Sequence, residues 1–170
     1  MFNKGEYVVY ESAGVCKVED ITTIKMSGAQ KDRLYYILHP VKDAGSSIYS
    51  PVDSEKVRIR KIMSKEEADA LLNEIPDVEE LWIPNEKLRE TRYKEAMHTG
   101  DGRSYVQIIK TLYFRRQERL AEKKKVTTTD ERYLRMAEDA LYSELAITLD
   151  IPKEKMVEYI TTRIDGGNEK

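Results

Sequence analysis

The hydrophobic period of the chain changes near Ser64, and this change limits the possible folds more than any other feature. Before it, short β-branched and aromatic runs alternate with turn sequences, as in Glu6-Tyr7-Val8-Val9-Tyr10. After it, apolar residues recur at spacings of three and four, which is the pattern of amphipathic helices. The sequence therefore predicts an α+β protein, with a small β module followed by an all-α module.

The β module is predicted to hold five short strands. They are expected at residues 6–10, 15–24, 34–38, 47–50 and 56–60. Pro51 limits the ladder that the fourth strand can carry, because proline has no backbone N–H to donate. Strands this short and this close together favour a small curled sheet or an open barrel.

The helical module is predicted to hold five helices. Their expected starts are Ser64, Asn85, Arg103, Thr128 and Pro152, and the last is expected to end near Ile164. Ser64-Lys65-Glu66-Glu67 has the form of a capping box. The predicted division is a β module at 1–62, a helical module at 63–165 and a flexible tail at 166–170.

The residue types argue against several classes of protein. A single cysteine, Cys16, excludes an intramolecular disulfide framework and fits a reducing compartment. Two histidines in different modules do not have the spacing of a metal site, and no phosphate-binding glycine loop is present. Neither an apolar run of membrane-spanning length nor a signal-peptide core is found. We therefore expect a cytoplasmic protein without catalysis, cofactor, metal, membrane contact or small-molecule substrate.

The net charge of −2 hides a strong alternation of charge along the chain. Residues 1–63 carry +2, residues 64–102 carry −6, residues 103–125 carry +6 and residues 126–170 carry −4. The basic block includes Lys110, Arg115, Arg116 and Arg119. It is either a patch that contacts phosphates or the solvated end of a helix, where cations interact favourably with the macrodipole.

Both halves of the chain resemble the CarD family of bacterial transcription regulators. The similarity in the β module lies in the pattern Phe2-x-x-Gly5-x-x-Val8-Val9-Tyr10-x-x-x-Gly14-Val15-x-x-Val18-x-x-Ile21. In the helical module it lies in Gly100-Asp101, Ile108-Ile109-x-x-Leu112-Tyr113-x-x-Arg116-Gln117-Glu118-Arg119 and Ala137-x-x-x-Leu141-x-x-Glu144-Leu145-Ala146. The β pattern is shared with transcription-repair coupling factors, so by itself it implies only RNA polymerase binding.

The resemblance implies that the β module has a Tudor-like fold and docks on the RNA polymerase β subunit. Backbone pairing between sheet edges is one mode of such docking. The positions that match the family's contact strands are Lys25 and Ile48-Tyr49-Ser50-Pro51. Tyr49 has a second interpretation, as an aromatic residue of the core.

The resemblance also implies that the helical module meets double-stranded promoter DNA, weakly, without sequence specificity and in the minor groove. Members of the family place a tryptophan wedge near the start of the second helix, which stabilises the open promoter complex. Counting back from Gly100-Asp101 puts Glu86 at that position, and the only tryptophan is Trp82. Trp82 is either a shifted wedge or a residue packed between the modules.

Several cations accompany Trp82 as candidate phosphate contacts. Lys87, Arg89 and Arg92 lie at the start of the same predicted helix, and Arg132 and Arg135 lie on the fourth one. The favoured reading is a regulator that binds RNA polymerase and upstream promoter DNA, whose place in the cell is the nucleoid. The alternative is a polymerase-binding adaptor without a direct DNA role.

Overall fold

The chain folds into two compact units, Met1–Ile62 and Met63–Lys170. The structure is a computed structural model and describes residues 1–11, 13–24 and 32–168. Its first unit is an antiparallel sheet and its second is helical. The predicted α+β class is confirmed.

The first unit forms five strands within the described residues. They are β1 Tyr7–Tyr10, β2 Gly14–Thr23, β3 Leu34–Pro40, β4 Ile48–Pro51 and β5 Ile59–Lys61. The strand order in the sheet is β4-β3-β2-β1-β5, so β4 and β5 are the two edges. An irregularity between Val18 and Asp20 interrupts the register of the long strand β2 with β3. Such a bulge bends the strand locally and so allows a small sheet to curl.

The core of the sheet lies on one face. Its fully buried members include Val8, Val18 and Leu38, and Phe2 and Ile48 pack against them at the margin. Alternate residues of a strand point to opposite faces, so β3 buries Tyr36 and Leu38 on this side. The core is small, which agrees with a unit of this length.

The second unit contains five α-helices within the described part of the chain. They are α1 Lys65–Glu74, α2 Arg89–Thr99, α3 Gly102–Ala121, α4 Thr128–Leu149 and α5 Met156–Asn168. The predicted capping box at the start of α1 is present, with the Ser64 hydroxyl accepting from Glu67 N–H and the Glu67 carboxylate accepting from Ser64 N–H. Gly100 ends α2 in the left-handed conformation at φ 73°, where glycine has no Cβ to clash.

The start of α3 packs closely on a side chain of α1. A Cβ on Gly102 would lie 2.6 Å from Cδ2 of Leu71, so a larger residue there would require the Leu71 side chain to move. Lys110 then fastens the two elements farther along, because its Nζ donates to the carbonyls of Ile75 at 2.8 Å and Val78 at 2.7 Å. These contacts tie the chain that follows α1 to α3.

Several predicted element bounds were wrong by a few residues. The fifth strand spans Ile59–Lys61 instead of 56–60, because its partner β1 is only four residues long. Short 3₁₀ turns, Glu86–Leu88 and Lys153–Lys155, precede α2 and α5 and delay the start of each helix. Helix α4 begins at Thr128, as predicted, with Thr127 as its cap. Helix α5 continues to Asn168, beyond the expected end near Ile164.

Candidate functional site

Strand β4 offers one open edge of the sheet. The N–H of Val52 donates to the carbonyl of Leu34 at 3.0 Å. Bonded pairs alternate along an antiparallel ladder, so Ser50 also bonds across to β3. Tyr49 and Pro51 therefore direct their backbone groups away from the sheet. Pro51 fits this position because its missing N–H would have faced outward.

The side chains of β4 separate into two faces. Ser50 is buried and Ile48 packs on the core, whereas Tyr49 lies opposite Ile37 on the other face and is 44% exposed. Tyr49 is therefore not a core aromatic. The side chains available to a docking strand at this edge are those of Tyr49 and, in part, its neighbours Ile48 and Pro51. Lys25, the other predicted polymerase contact, lies outside the described residues.

On the opposite edge, β5, a side chain of the same strand bonds one of the outward backbone groups. The N–H of Ile62 donates to the carbonyl of Tyr7, and the N–H of Glu11 donates to the carbonyl of Arg58. Bonded residues alternate along an antiparallel strand, so the backbone groups of Lys61 face outward, away from β1. Nη1 of Arg60 donates to the carbonyl of Lys61 at 3.2 Å. A guanidinium therefore lies where a docking strand would place its N–H.

Trp82 projects from the segment that joins α1 to α2. Its side chain is 74% exposed, so it does not pack in a core. The residues on either side, Leu81 and Ile83, pack on the cluster around α2 and α3. The N–H of Leu81 donates to Thr111 Oγ1 at 2.8 Å. The chain is thus anchored on both sides of Trp82, and the indole is held outward.

Arg92 accompanies the Trp82 indole. Its guanidinium carbon lies 5.8 Å from the centre of the ring, within the range of a cation–π contact. The same guanidinium pairs with Glu95 at 3.3 Å. An apolar ring and a cation are therefore presented side by side.

A buried network of polar groups ties together α2, α3 and α4 next to this segment. The Tyr93 hydroxyl donates to Asp130 Oδ1 at 3.0 Å and accepts from Arg89 Nη1 at 3.0 Å. Arg115 Nε donates to Asp130 Oδ2 at 2.7 Å. Both guanidiniums also reach the carboxylate of Glu86, on the 3₁₀ turn before α2. The network is neutral overall, with two cations and two carboxylates.

The network shifts the pKa values of its members. Burial raises the pKa of Tyr93 to about 12, so its hydroxyl keeps its proton. The hydrogen bond from Arg89, with the nearby charge of Arg115, lowers the pKa of Glu86. Burial alone would lower the pKa of Arg115, but its hydrogen bond to Asp130 raises the pKa above the ordinary value. Glu86 is therefore ionised, and Arg115 protonated, at neutral pH.

The predicted DNA contacts fall into two groups in the structure. Arg89, Lys110 and Arg115 hold elements of the unit together through the bonds described above. Arg119 is intermediate, with Nε donating to the carbonyl of Lys125 at 2.7 Å. For all four, contact with DNA stays a prediction.

The second group presents cations to solvent. Lys87, Arg116 and Arg135 are exposed. Arg132 is also exposed, pairs with Glu90 at 2.8 Å and lies over the ring of Tyr133. These side chains can reach phosphates without breaking a buried contact, and their role also stays a prediction.

Sequence reasoning missed Tyr93 and Asp130, which organise the network. Asp130 lies in the first turn of α4, where a carboxylate is commonly only a partner of the helix dipole. Nothing in the sequence around Tyr93 indicates that this side chain is buried. A tyrosine and an aspartate in apolar helical stripes are the only signal that sequence offers for such a network.

A cleft of about 180 Å³ lies between the Trp82 segment and α3. Its lining includes Leu81, Ile83 and Thr111 together with the guanidiniums of Arg89 and Arg115.

Within the described residues, no group of histidine, cysteine and carboxylate side chains is arranged to hold a metal ion. None of the described helices is both long and apolar enough to cross a bilayer.

An open strand edge on one unit and an outward tryptophan beside cations on the other define a two-unit binding protein. Residues 2–63 match the family model of the CarD-like/TRCF RID domain. Residues 70–161 match that of the CarD C-terminal domain. The chain belongs to the CarD family, whose domains are regulatory and interaction modules that work with RNA polymerase. A search of curated proteins found no match to the chain.

Proposed function

We propose that this protein binds the β subunit of RNA polymerase and upstream promoter DNA, and stabilises the open promoter complex. The β module docks through the edge of β4, where Tyr49 presents its backbone and its ring to an added strand. The helical unit meets the minor groove next to the melted region. The protein acts in the cytoplasm, on the nucleoid, and needs no cofactor.

The exposure of Trp82 is the observation that carries this proposal. The Trp82 side chain is 74% exposed and is held outward by its partly buried neighbours, so the whole ring is available to a partner. Apolar side chains inserted between base steps hold DNA kinked or unstacked. A protein that binds such DNA better than closed duplex shifts the equilibrium toward the open complex.

Cations around Trp82 support a phosphate contact on either side of the inserted ring. Arg92 lies over the indole, and Lys87 is exposed on the next turn of chain. Binding is expected to be weak and independent of sequence, because contacts to phosphates carry no base information. The affinity for DNA should fall steeply with salt, since these contacts release counterions.

The lifetime of open promoter complexes with the cognate polymerase tests the proposal. Wild-type protein should prolong the lifetime, and Trp82→Ala should not. Tyr113→Ala is the matched control, because Tyr113 is also an exposed aromatic of the helical unit. If Trp82→Ala prolongs the lifetime as well as the wild type does, the wedge is wrong.

A second candidate function is that of an adaptor, which binds polymerase and leaves promoter melting unchanged. The pairing of Arg89 and Arg115 with carboxylates favours it, because in the free protein two of the predicted phosphate contacts are already bonded to anions. In that case, neither wild type nor Trp82→Ala would alter the lifetime while binding to the β subunit is intact.

A further inference from the structure

The carboxylate of Glu86 lies between two guanidiniums in the manner of a bound anion. Arg89 donates from Nη2 to Oε1 at 2.9 Å and from Nε to Oε2 at 3.1 Å. Arg115 donates from Nη1 to Oε1 at 3.2 Å and from Nη2 to Oε2 at 3.3 Å. Each carboxylate oxygen is thus shared by both arginines. Such paired, forked donation is the geometry by which arginines bind phosphate.

The two guanidiniums are each held from behind by a second partner, whereas the carboxylate is bonded only to them among the described residues and is exposed. The Arg89 side chain is 18% exposed and held from behind by Tyr93, and that of Arg115 is 17% exposed and held by Asp130. The Glu86 side chain is 69% exposed and sits on a 3₁₀ turn of three residues. Rotation of this one side chain would uncover both guanidiniums and leave the bonds of Arg89 to Tyr93 and of Arg115 to Asp130 in place.

We propose that Arg89 and Arg115 form a binding site for a phosphate of the DNA backbone, and that Glu86 occupies this site in the free protein. This inference rests on the proposed function, since it concerns the same DNA. A backbone phosphate carries a single negative charge on two free oxygens, which match those of Glu86. When DNA binds, a backbone phosphate therefore replaces the Glu86 carboxylate at the same two guanidiniums.

The position of Glu86 gives the exchange a consequence for DNA binding. Glu86 follows Trp82 by four residues, in the same connecting segment before α2. A phosphate in the site would lie close in the chain to the base of the wedge. Because Glu86 competes for the site, it lowers the affinity of the free protein for DNA by the fraction of time that it occupies the guanidiniums.

Binding of a short DNA duplex, followed by fluorescence anisotropy over a range of salt concentrations, tests the inference. Glu86→Gln removes the competing charge and should lower the Kd about tenfold, the effect of roughly one charge-assisted contact. Glu79→Gln is the matched control. It removes the same charge from an exposed position of the same unit and has no contact with either arginine among the bonds of the described residues. Its effect should be clearly smaller.

A double variant separates the site from general charge. In an Arg89→Met background, the gain from Glu86→Gln should disappear, because half of the phosphate site is gone. Helical circular dichroism of each variant shows whether the unit is folded, and Glu86→Ala replaces Glu86→Gln if the latter is not. If Glu86→Gln still lowers the Kd for DNA in the Arg89→Met background, the proposed phosphate site is wrong.

The outcomes distinguish this inference from the proposed function. If the wild type binds DNA in a Trp82-dependent way and Glu86→Gln binds no better than Glu79→Gln, only the masked phosphate site is wrong. If the wild type and every Glu86 variant fail to bind DNA, both the site and the DNA role are wrong.

Discussion

The hydroxyl of Tyr93 on α2 donates a hydrogen bond of 3.0 Å to the carboxylate of Asp130 on α4. Both side chains are buried, and the same hydroxyl accepts from Arg89. One oxygen atom thus links the start of α2 to the start of α4. Since the Trp82 segment leads into α2, this link bears on the candidate site as well as on stability.

Replacing Tyr93 with phenylalanine should destabilise the helical unit by about 1–3 kcal/mol, because a buried carboxylate and a partly buried guanidinium each lose a partner. Urea denaturation followed by helical circular dichroism measures the change. Tyr113→Phe is the control, since Tyr113 is exposed and its hydroxyl makes no bond among those of the described residues. Equal stability of the two variants would contradict a structural role for the network.

Replacement of a second buried carboxylate, that of Glu144, should destabilise the helical unit to a similar extent. Glu144 on α4 is fully buried and accepts from the N–H of Met63 at 2.8 Å, while Thr148 one turn later donates to the carbonyl of Met63 at 2.9 Å. Glu144→Ala leaves a buried N–H without its acceptor and should cost about 2 kcal/mol or more in the free energy of unfolding.

The same denaturation measurement tests Glu144, with the exposed Glu154→Ala as its control. If Glu144→Ala does not fold, Glu144→Gln keeps an acceptor oxygen and should be destabilised less. Full stability of Glu144→Ala would mean that water or another group replaces the carboxylate.

Two substitutions of Tyr49 on β4 distinguish docking through the backbone from docking through the side chain. Tyr49→Pro removes an N–H that β3 does not use, so the sheet should stay folded while strand addition loses a bond. Binding to the polymerase β subunit, measured by surface plasmon resonance, should fall at least tenfold. Tyr49→Ala keeps the N–H and should bind better than Tyr49→Pro. Equal binding by both variants would argue against strand pairing.

Glu138 should give the helical unit a distinctive pH dependence. Burial and the charge of Asp139 raise the pKa of Glu138, and Arg116 partly opposes them. A raised pKa means that the folded state binds the proton more tightly, so the ionised carboxyl destabilises the fold at neutral pH. Stability from this group is present at low pH and is lost as the pH rises above the unfolded value of 4.5.

Glu138→Gln should therefore raise the free energy of unfolding at pH 7 by less than about 1 kcal/mol, because the side chain keeps access to water. The gain should vanish well below pH 4.5. Urea denaturation at several pH values measures it. Arg116→Ala provides a check in the opposite sense, since NMR titration should then find the pKa of Glu138 raised further. A loss of stability in Glu138→Gln at neutral pH would refute the prediction.

Most of the architecture could be predicted because its signals are local. The change of hydrophobic period at Ser64 and the capping box after it depend on neighbouring residues only. Errors arose where an element's end depends on a distant partner. The length of β5 is set by β1, and α5 is held near its end by the bond of Arg163 to Asp69 on α1.

The candidate site was harder to predict, because the local sequence does not determine which side chains are exposed or which ion pairs they form. Sequence left Trp82 with two interpretations, and only its packed neighbours show that the ring faces outward. Arg115 and Arg116 are adjacent and alike in sequence. One is fixed by Asp130 and the other is exposed, a difference that the turn of α3 alone creates.

The guanidinium of Arg60 on the carbonyl of Lys61 also restricts how copies of this protein can aggregate. A head-to-tail contact between β4 of one copy and β5 of the next would repeat without end and build a fibre. The Arg60 guanidinium on the Lys61 carbonyl disfavours that contact, whereas a contact of β4 with β4 is symmetric and closes after two copies. The edge that stays open for a partner is therefore the one whose pairing with itself ends at a dimer.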